Sequence, residues 1–190
     1  QRQMCIRDRS STGTGKTYAA AFAMRHFGFN KVLFVVHRNQ IAKQAMKSFC
    51  KVFGESVSMG MVSGTLNKKE IDKDYIFATI QTLSKDENLC LFKPEHFEAI
   101  IYDEAHHVSA ASYKKVMDYL KPQFTLGMTA TPDKRDDYIE GRNIYEIFNH
   151  NIAYEIRLQQ AMEEDLLCPF HYFGITDLEW VDDTIGENKN

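Results

Sequence analysis

The chain has 190 residues, of which 44% are hydrophobic and 26% are charged, as in globular proteins that bury one sizeable core. No apolar run approaches the ~20 residues that a membrane-spanning helix needs, and no signal peptide is recognisable, so we expect a cytoplasmic protein. The four cysteines lie far apart in the sequence and form no CxxC pair, which argues against metal binding and favours reduced thiols. The net charge is −3, but residues 1–150 carry 21 Lys and Arg against 17 Asp and Glu, whereas residues 151–190 carry 2 against 9. This distribution neither requires nor excludes a nucleic-acid partner.

The first nine residues, QRQMCIRDR, are too charged for the buried apolar strand that is expected before a phosphate-binding loop. Within them, Met4 to Asp8 (MCIRD) is similar to the in-frame translation of a common sequencing-library adapter. We therefore expect residues 1–9 to be an adapter artefact and the first strand of the domain to be missing. The alternative is a genuine polar N-terminus.

The stretch Ser10–Thr17 (SSTGTGKT) predicts a loop that holds a nucleoside triphosphate. Two glycines flank one threonine, so the backbone can turn tightly and direct its N–H groups at phosphate oxygens. Lys16 supplies a positive charge for the β- and γ-phosphates, and Thr17 offers a hydroxyl to Mg²⁺. The predicted nucleotide-binding residues are Gly13, Thr14, Gly15, Lys16 and Thr17.

Ser10 stands where the full pattern GxxxxGK[ST] has glycine, so a Gly/Thr loop before a helix stays open as an alternative. The apolar, alanine-rich residues after Thr17 predict that helix, and Gly28 would end it. The helix N-terminus would add a favourable dipole for phosphate binding.

Short apolar runs alternate with helical stretches through the next hundred residues. Residues 38–53 place apolar side chains on one helical face and Lys43, Lys47 and Lys51 on another. This alternation predicts an α/β domain with a mostly parallel sheet and helices on both faces. A short strand (IAYEI) and an acidic helix are expected within residues 151–168. The predicted strands are Lys31–His37, Ser56–Val62, Tyr75–Ile80, Ala99–Tyr102 and Phe124–Met128.

The stretch Ile100–His107 (IIYDEAHH) places two adjacent carboxylates at the end of an apolar strand, the edge where open α/β sheets bind ligands. Asp103 can hold Mg²⁺, and Glu104 can orient and deprotonate the attacking water. The catalytic residues predicted from these two stretches are thus Lys16, Asp103 and Glu104. The alternative for Asp103 is a helix N-cap.

A third polar stretch, Leu126–Pro132 (LGMTATP), again follows an apolar strand and places Thr129 and Thr131 beside a small alanine. Alone it is only a polar turn. Asp103 lies 87 residues after Lys16, and Thr129 lies 25 residues after Glu104. Because each stretch also sits at a strand end, their combination argues against chance.

GTGKT, DEAH and TATP, in this order, resemble motifs I, II and III of superfamily 2 helicases of the DEAD/DEAH-box group. The resemblance covers residues 10 to about 175 and implies a RecA-like P-loop ATPase domain that uses ATP and Mg²⁺. It implies that His106, Thr129 and Thr131 couple the nucleotide site to a second RecA-like domain. No role is predicted for His107.

Three minor stretches also resemble helicase motifs, HRNQIAKQA, VSG and ATIQTLSK, whose loops hold nucleic-acid backbone in the family. Polar groups at strand ends and helix starts could contact phosphates without reading bases, although for each residue taken alone a cap or turn is the favoured role. The implied nucleic-acid contacts are Arg38, Ser63, Thr79, Gln81 and Thr82.

The DEAHH form and the segment after TATP are most similar to DNA-acting members, namely restriction-enzyme motor subunits and bacterial repair-type helicases. We therefore expect the first motor domain of a DNA helicase or translocase, with residues 10–150 as the ATP-binding domain and residues 151–190 leading toward the second. An RNA helicase and a P-loop module that binds nucleic acid without hydrolysing ATP are the alternatives. Adenine-clamping residues upstream and motifs IV to VI, with their arginine fingers, are not among these residues, so the chain alone should be nearly inactive.

Overall fold

A computed structural model of the chain describes residues 2–8, 15–62, 64, 68–104, 111–129, 148 and 152–156. Strands and helices alternate along it, as the apolar runs predict. The strands are β1 (Arg2–Asp8), β2 (Val32–Val36), β3 (Met59–Val62), β4 (Tyr75–Thr79), β5 (Ala99–Asp103), β6 (Phe124–Thr129) and β7 (Ile152–Ile156). The helices are α1 (Lys16–Phe27), α2 (Asn39–Phe53), α3 (Lys68–Ile71), α4 (Ile80–Leu83), α5 (Asp86–Leu89) and α6 (Ala111–Tyr119).

The seven described strands form one sheet in the order β3-β4-β2-β5-β6-β1-β7. Every described pairing between them is parallel, which confirms the predicted sheet type. All carboxyl ends of the strands therefore lie at one edge of the sheet, the edge where open α/β sheets bind ligands.

Alternate residues of the central strands serve two separate cores, one on each face of the sheet. In β2, Val32 and Phe34 pack with α1 and α2, whereas Leu33 and Val35 pack with α4, α5 and α6. This period of two is that of a pleated strand buried on both sides. The prediction of helices on both faces is confirmed.

The prediction that the first strand is missing is wrong. Residues 2–8 form β1 between β6 and β7, with Arg2 opposite Phe124 and Arg7 opposite Thr129. Parallel pairing uses main-chain N–H and C=O groups, which even a charged segment carries. The adapter origin of residues 1–9 stays a prediction, because main-chain pairing does not depend on the source of the side chains. The predicted domain end at residue 150 falls just before β7, which belongs to the same sheet.

The predicted end of α1 at Gly28 is confirmed. Gly28 ends α1 in the left-handed conformation, with φ of 69°, and its N–H donates to the Met24 carbonyl. In α2, Ala42, Ala45 and Phe49 are buried, while the three lysines at positions 43, 47 and 51 are exposed. No helix in the described ranges is long and apolar enough to cross a membrane. The acidic helix predicted after residue 156 lies outside the described residues.

Gly127 in β6 allows a close approach that no other residue type would permit. A Cβ atom there would lie 2.6 Å from the ring of Phe148, which is completely buried. Phe148 thus packs directly on the backbone of the strand that ends at Thr129. The glycine of LGMTATP has a packing role that its sequence pattern did not reveal.

Candidate active site

A cavity of about 470 Å³ opens where the predicted phosphate loop and the predicted acidic pair meet. Lys16 and Thr17 reach it from the first turn of α1, and Asp103 and Glu104 reach it from the end of β5. Residues 87 positions apart in the sequence are therefore brought together, as the helicase motifs predict. The complete lining is Gly15, Lys16, Thr17, Tyr18, Ile41, Gln44, Ala45, Ser48, Asp103 and Glu104.

Gly15 shapes the phosphate side of this cavity. Its φ of 80° is left-handed, and a side chain there would be strained although the surrounding space is open. It is the N-cap of α1 and accepts the first helical hydrogen bond, from Ala19 N–H at 2.8 Å. Because glycine has no side chain that could cap the helix, the first N–H groups of α1 and its dipole are left for an anion. Gly13 and Thr14 lie outside the described residues.

Asp103 is held in an environment that disfavours its negative charge. Burial, with a further contribution from the Glu104 carboxylate, raises its pKa to about 6 from an ordinary 3.8. The hydrogen bond that its Oδ1 accepts from Glu104 N–H, at 3.1 Å, and the positive charge of Lys16 oppose this shift only in part. A cation beside the two carboxylates would remove the repulsion.

The donors around Asp103 fit a hard divalent cation. The Asp103 carboxylate and the Thr17 hydroxyl offer oxygen ligands, which Mg²⁺ prefers, and phosphate oxygens of a nucleotide can complete its shell. No group of three or more His, Cys, Asp and Glu side chains that could hold a metal occurs within the described ranges. The site therefore suits a cation that arrives with a nucleotide better than one held by protein alone.

Glu104 has a left-handed backbone, with φ of 54°, and it is the one non-glycine residue with positive φ in the described ranges. For a residue with a Cβ this conformation costs roughly 1 kcal/mol, and such strain is concentrated at functional sites. The turn begins immediately after β5 and keeps Glu104 in the cavity with Asp103. The hydrogen bond from Glu104 N–H to Asp103 agrees with a local turn, and residues 105–110, which would show a helix cap, lie outside the described part.

Among the predicted nucleic-acid contacts, Arg38 and Gln81 are exposed at the same edge of the sheet. Arg38 precedes α2 without capping it by its side chain. Gln81 Nε2 lies 3.1 Å from His37 Nδ1, so this contact connects α4 with the residue that follows β2. Both side chains could meet a phosphate at this edge.

Thr79 and Thr82 are buried, unlike Arg38 and Gln81, and they fit the alternative in which such residues cap a helix. Thr79 is 5% exposed and Thr82 8% exposed, and their hydroxyls lie 2.9 Å apart. Thr79 Oγ1 also accepts the hydrogen bond from Thr82 N–H and so caps α4. Neither hydroxyl is open to a phosphate in this conformation.

The coupling residues are only partly described. Thr129 ends β6 and is completely buried. Ser63, His106 and Thr131 lie outside the described residues, as does His107.

Sequence reasoning missed the wall that α2 contributes to the cavity. One face of this helix lines the cavity opposite Gly15 and the first turn of α1. Its members, at the spacing of one helical face, are Ile41, Gln44, Ala45 and Ser48. The apolar members of this face were expected in the core, and the same spacing could have identified Gln44 and Ser48 beside them.

Known proteins share this architecture. A family profile described as "Type III restriction enzyme, res subunit" matches residues 2–134. IRC3 of Saccharomyces cerevisiae, assigned as an ATP-dependent helicase, is 27% identical over 181 residues, which cover 87% of this chain and 25% of IRC3. Rad25 of Haloarcula marismortui, assigned as a DNA 3'-5' helicase, is 31% identical over 126 residues, which cover 66% of this chain and 20% of Rad25.

A solved structure shows the same fold. The SWI2/SNF2 ATPase core of Sulfolobus solfataricus in complex with dsDNA superposes with a TM-score of 0.62 at 20% identity, over 86% of this chain and 42% of the other. The chain spans a quarter or less of the length of the two curated relatives. Since the family profile matches well over half of the residues, the chain belongs to the type III restriction enzyme res subunit family and carries the N-terminal RecA-like domain of a superfamily 2 helicase.

Proposed function

We propose that this domain is the ATP-binding half of an ATP-dependent DNA helicase or double-strand DNA translocase. The observation that carries the proposal is the convergence of Lys16, Thr17, Asp103 and Glu104 on one cavity at the carboxyl edge of the sheet. These groups are the charge, the hydroxyl, the metal ligand and the base that hydrolysis of a nucleoside triphosphate requires. A module that only binds a nucleotide has no need of the last two together.

Each side chain has a separate task in this proposal. Lys16 neutralises the β- and γ-phosphates, and Glu104 orients and deprotonates the attacking water. Thr17 and Asp103 would hold Mg²⁺, which supplies charge neutralisation for the phosphates when it is bound. Because its pKa is raised, the charged form of Asp103 is disfavoured, and a neighbouring cation would stabilise it.

DNA is the proposed track. Rad25 is assigned as a DNA helicase, and the SWI2/SNF2 core was solved with dsDNA. The exposed Arg38 and Gln81 suit contacts with a phosphate backbone, which carry no sequence information. Binding should therefore weaken with salt and be insensitive to base sequence. The competing candidate, RNA, has the same backbone chemistry and is separated by comparing ATPase stimulation by duplex DNA and duplex RNA.

The test uses the full-length protein that contains this domain. Lys16→Ala should abolish ATP binding, whereas Glu104→Gln should bind ATP normally and lose hydrolysis by about 10²- to 10⁴-fold. Lys51→Ala and Glu95→Gln, at exposed positions away from the cavity, are the matched controls and should retain both properties. An equal loss of nucleotide affinity in the two active-site variants would remove Glu104 from the role of base.

A further inference from the structure

The hydroxyl of Tyr113 is a buried polar group without a partner. The side chain is 1% exposed, and its Oη has no hydrogen-bond partner within the described ranges. Leaving such a group unpaired costs about 1–3 kcal/mol. Tyr119 on the same helix does have a partner, because its Oη donates a hydrogen bond to the Phe92 carbonyl at 2.9 Å. A buried hydroxyl without a partner needs an explanation.

The position of Tyr113 relates it to the acidic pair. It is the third residue of α6, the first described helix after Glu104. Its ring centroid lies 6.0 Å from that of Tyr102, the residue immediately before Asp103 on β5. The pKa of Tyr113 is raised, first by burial and then by the negative charges of Asp103 and Glu104, so the hydroxyl lies within electrostatic reach of both carboxylates. It stays protonated and is therefore a permanent donor.

Glu104 is the acceptor that this donor suits. Both carboxylates line the cavity, but Asp103 accepts the Glu104 N–H and is the proposed metal ligand, whereas Glu104 is the proposed base. Glu104 stands on a left-handed turn that a packed side chain nearby could hold in place. A base is effective only when its carboxylate is aimed at the proton it removes.

We propose that Tyr113 is a positioning residue whose Oη–H donates a hydrogen bond to the Glu104 carboxylate when nucleotide is bound and so aims this base at the attacking water. The inference rests on the proposed ATPase function. Its expected signature is a lower kcat with an unchanged KM for ATP, because the hydrogen bond orients the base without touching the substrate.

The experiment compares Tyr113→Phe with Tyr119→Phe in the full-length protein. Tyr113→Phe removes an unpaired buried hydroxyl, so its thermal midpoint should stay the same or rise, while kcat should fall about tenfold. Tyr119→Phe removes a formed hydrogen bond, so its thermal midpoint should fall while kcat is retained. A purely structural role for both tyrosines would make activity follow stability in both variants.

A second measurement ties the effect to Glu104. In a Glu104→Gln background, the Tyr113→Phe substitution should cause no further tenfold loss, because the group it positions is already impaired. An unchanged kcat in Tyr113→Phe, or a full additional loss in the double variant, would overturn the inference. Absence of nucleic-acid-stimulated ATPase in the unaltered protein would instead refute the proposed function, so the two failures are distinguishable.

Discussion

The two edges of the sheet shift the pKa values of their aspartates, Asp74 and Asp103, in opposite directions. At the amino edge, Asp74 accepts hydrogen bonds from Ser58 N–H at 3.1 Å, Ser58 Oγ at 2.7 Å and Lys31 Nζ at 3.2 Å. The Ser58 hydroxyl is the main reason that its pKa is lowered. At the carboxyl edge, burial and then the neighbouring Glu104 carboxylate raise the pKa of Asp103. One edge thus stabilises the charged form of its aspartate, whereas the other destabilises it, as is common at catalytic sites.

The largest difference between the two edges is expected in the rate of ATP turnover. Asp103→Asn in the full-length protein should reduce ATP turnover by about 10²-fold or more, because the proposed metal loses its charged ligand. Asp74→Asn should leave turnover unchanged once rates are corrected for the folded fraction. Steady-state ATPase assays with saturating nucleic acid measure both. Comparable losses in the two variants would contradict the division between the edges.

The pH dependence of stability should show the second contrast. The pKa of Asp103 in the folded chain is about 6 against an ordinary 3.8, so the folded chain retains a proton that the unfolded chain has released between these values. The free energy of unfolding should therefore fall as pH rises through this window, by up to about 2 kcal/mol after allowance for the solvent-facing part of the side chain. Denaturant titrations of the nucleotide-free chain measure this, and Asp103→Asn should remove the dependence.

Asp74 should behave with the opposite sign. Its folded pKa is lowered, so its contribution is present above the ordinary pKa of 3.8 and is lost as pH falls through the folded value. At neutral pH, Asp74→Asn should lower the free energy of unfolding by about 1 kcal/mol, reduced by solvent screening. Asp86→Asn is the matched control, because the 83% exposed side chain of Asp86 pairs with Lys115 at the surface. A loss in the control as large as in Asp74→Asn would refute the special role of Asp74.

The smallest expected effect concerns the left-handed turn at Glu104. Asparagine tolerates positive φ better than glutamate and also removes the repulsion with Asp103. Glu104→Asn should therefore raise the free energy of unfolding by roughly 0.5 kcal/mol while ATP hydrolysis is lost. Denaturant unfolding of the nucleotide-free chain measures the gain, and a destabilised variant would show that the turn is not strained.

Much of the architecture could be predicted because its causes are local. The run KVLFVVH is typical of a strand buried on both faces, and Val32–Val36 within it is such a strand. Gly28 ends α1 because glycine accepts positive φ without cost. The convergence of Lys16 with Asp103 and Glu104 followed from their order and from the rule that strand ends share an edge.

The remaining features depend on contacts that the sequence does not display. The charged segment Arg2–Asp8 pairs with its neighbours through main-chain hydrogen bonds, so a prediction from side-chain composition did not identify it as a strand. The burial of Tyr113 arises from packing between elements distant in sequence. The hydrogen bond between Thr79 and Thr82 is local, but the same two residues could equally have been exposed at the strand end. Polar residues at a strand end can bind a ligand or cap the next helix, and only geometry separates the two.

The position of β1 has a consequence for how the chain acquires its fold during synthesis. This strand is made first, yet its neighbours are β6 and β7, so Arg2 meets Phe124 and Asp8 meets Ile156 only after most of the chain has been translated. At 5–20 residues per second, β1 waits on the order of ten seconds before its first partner emerges from the ribosome. Strands β2 to β5, which pair among themselves, can assemble earlier, and β1 joins the sheet only after β6 has been made. Nucleotide binding by a ribosome-bound nascent chain would therefore begin only near the end of translation of this domain.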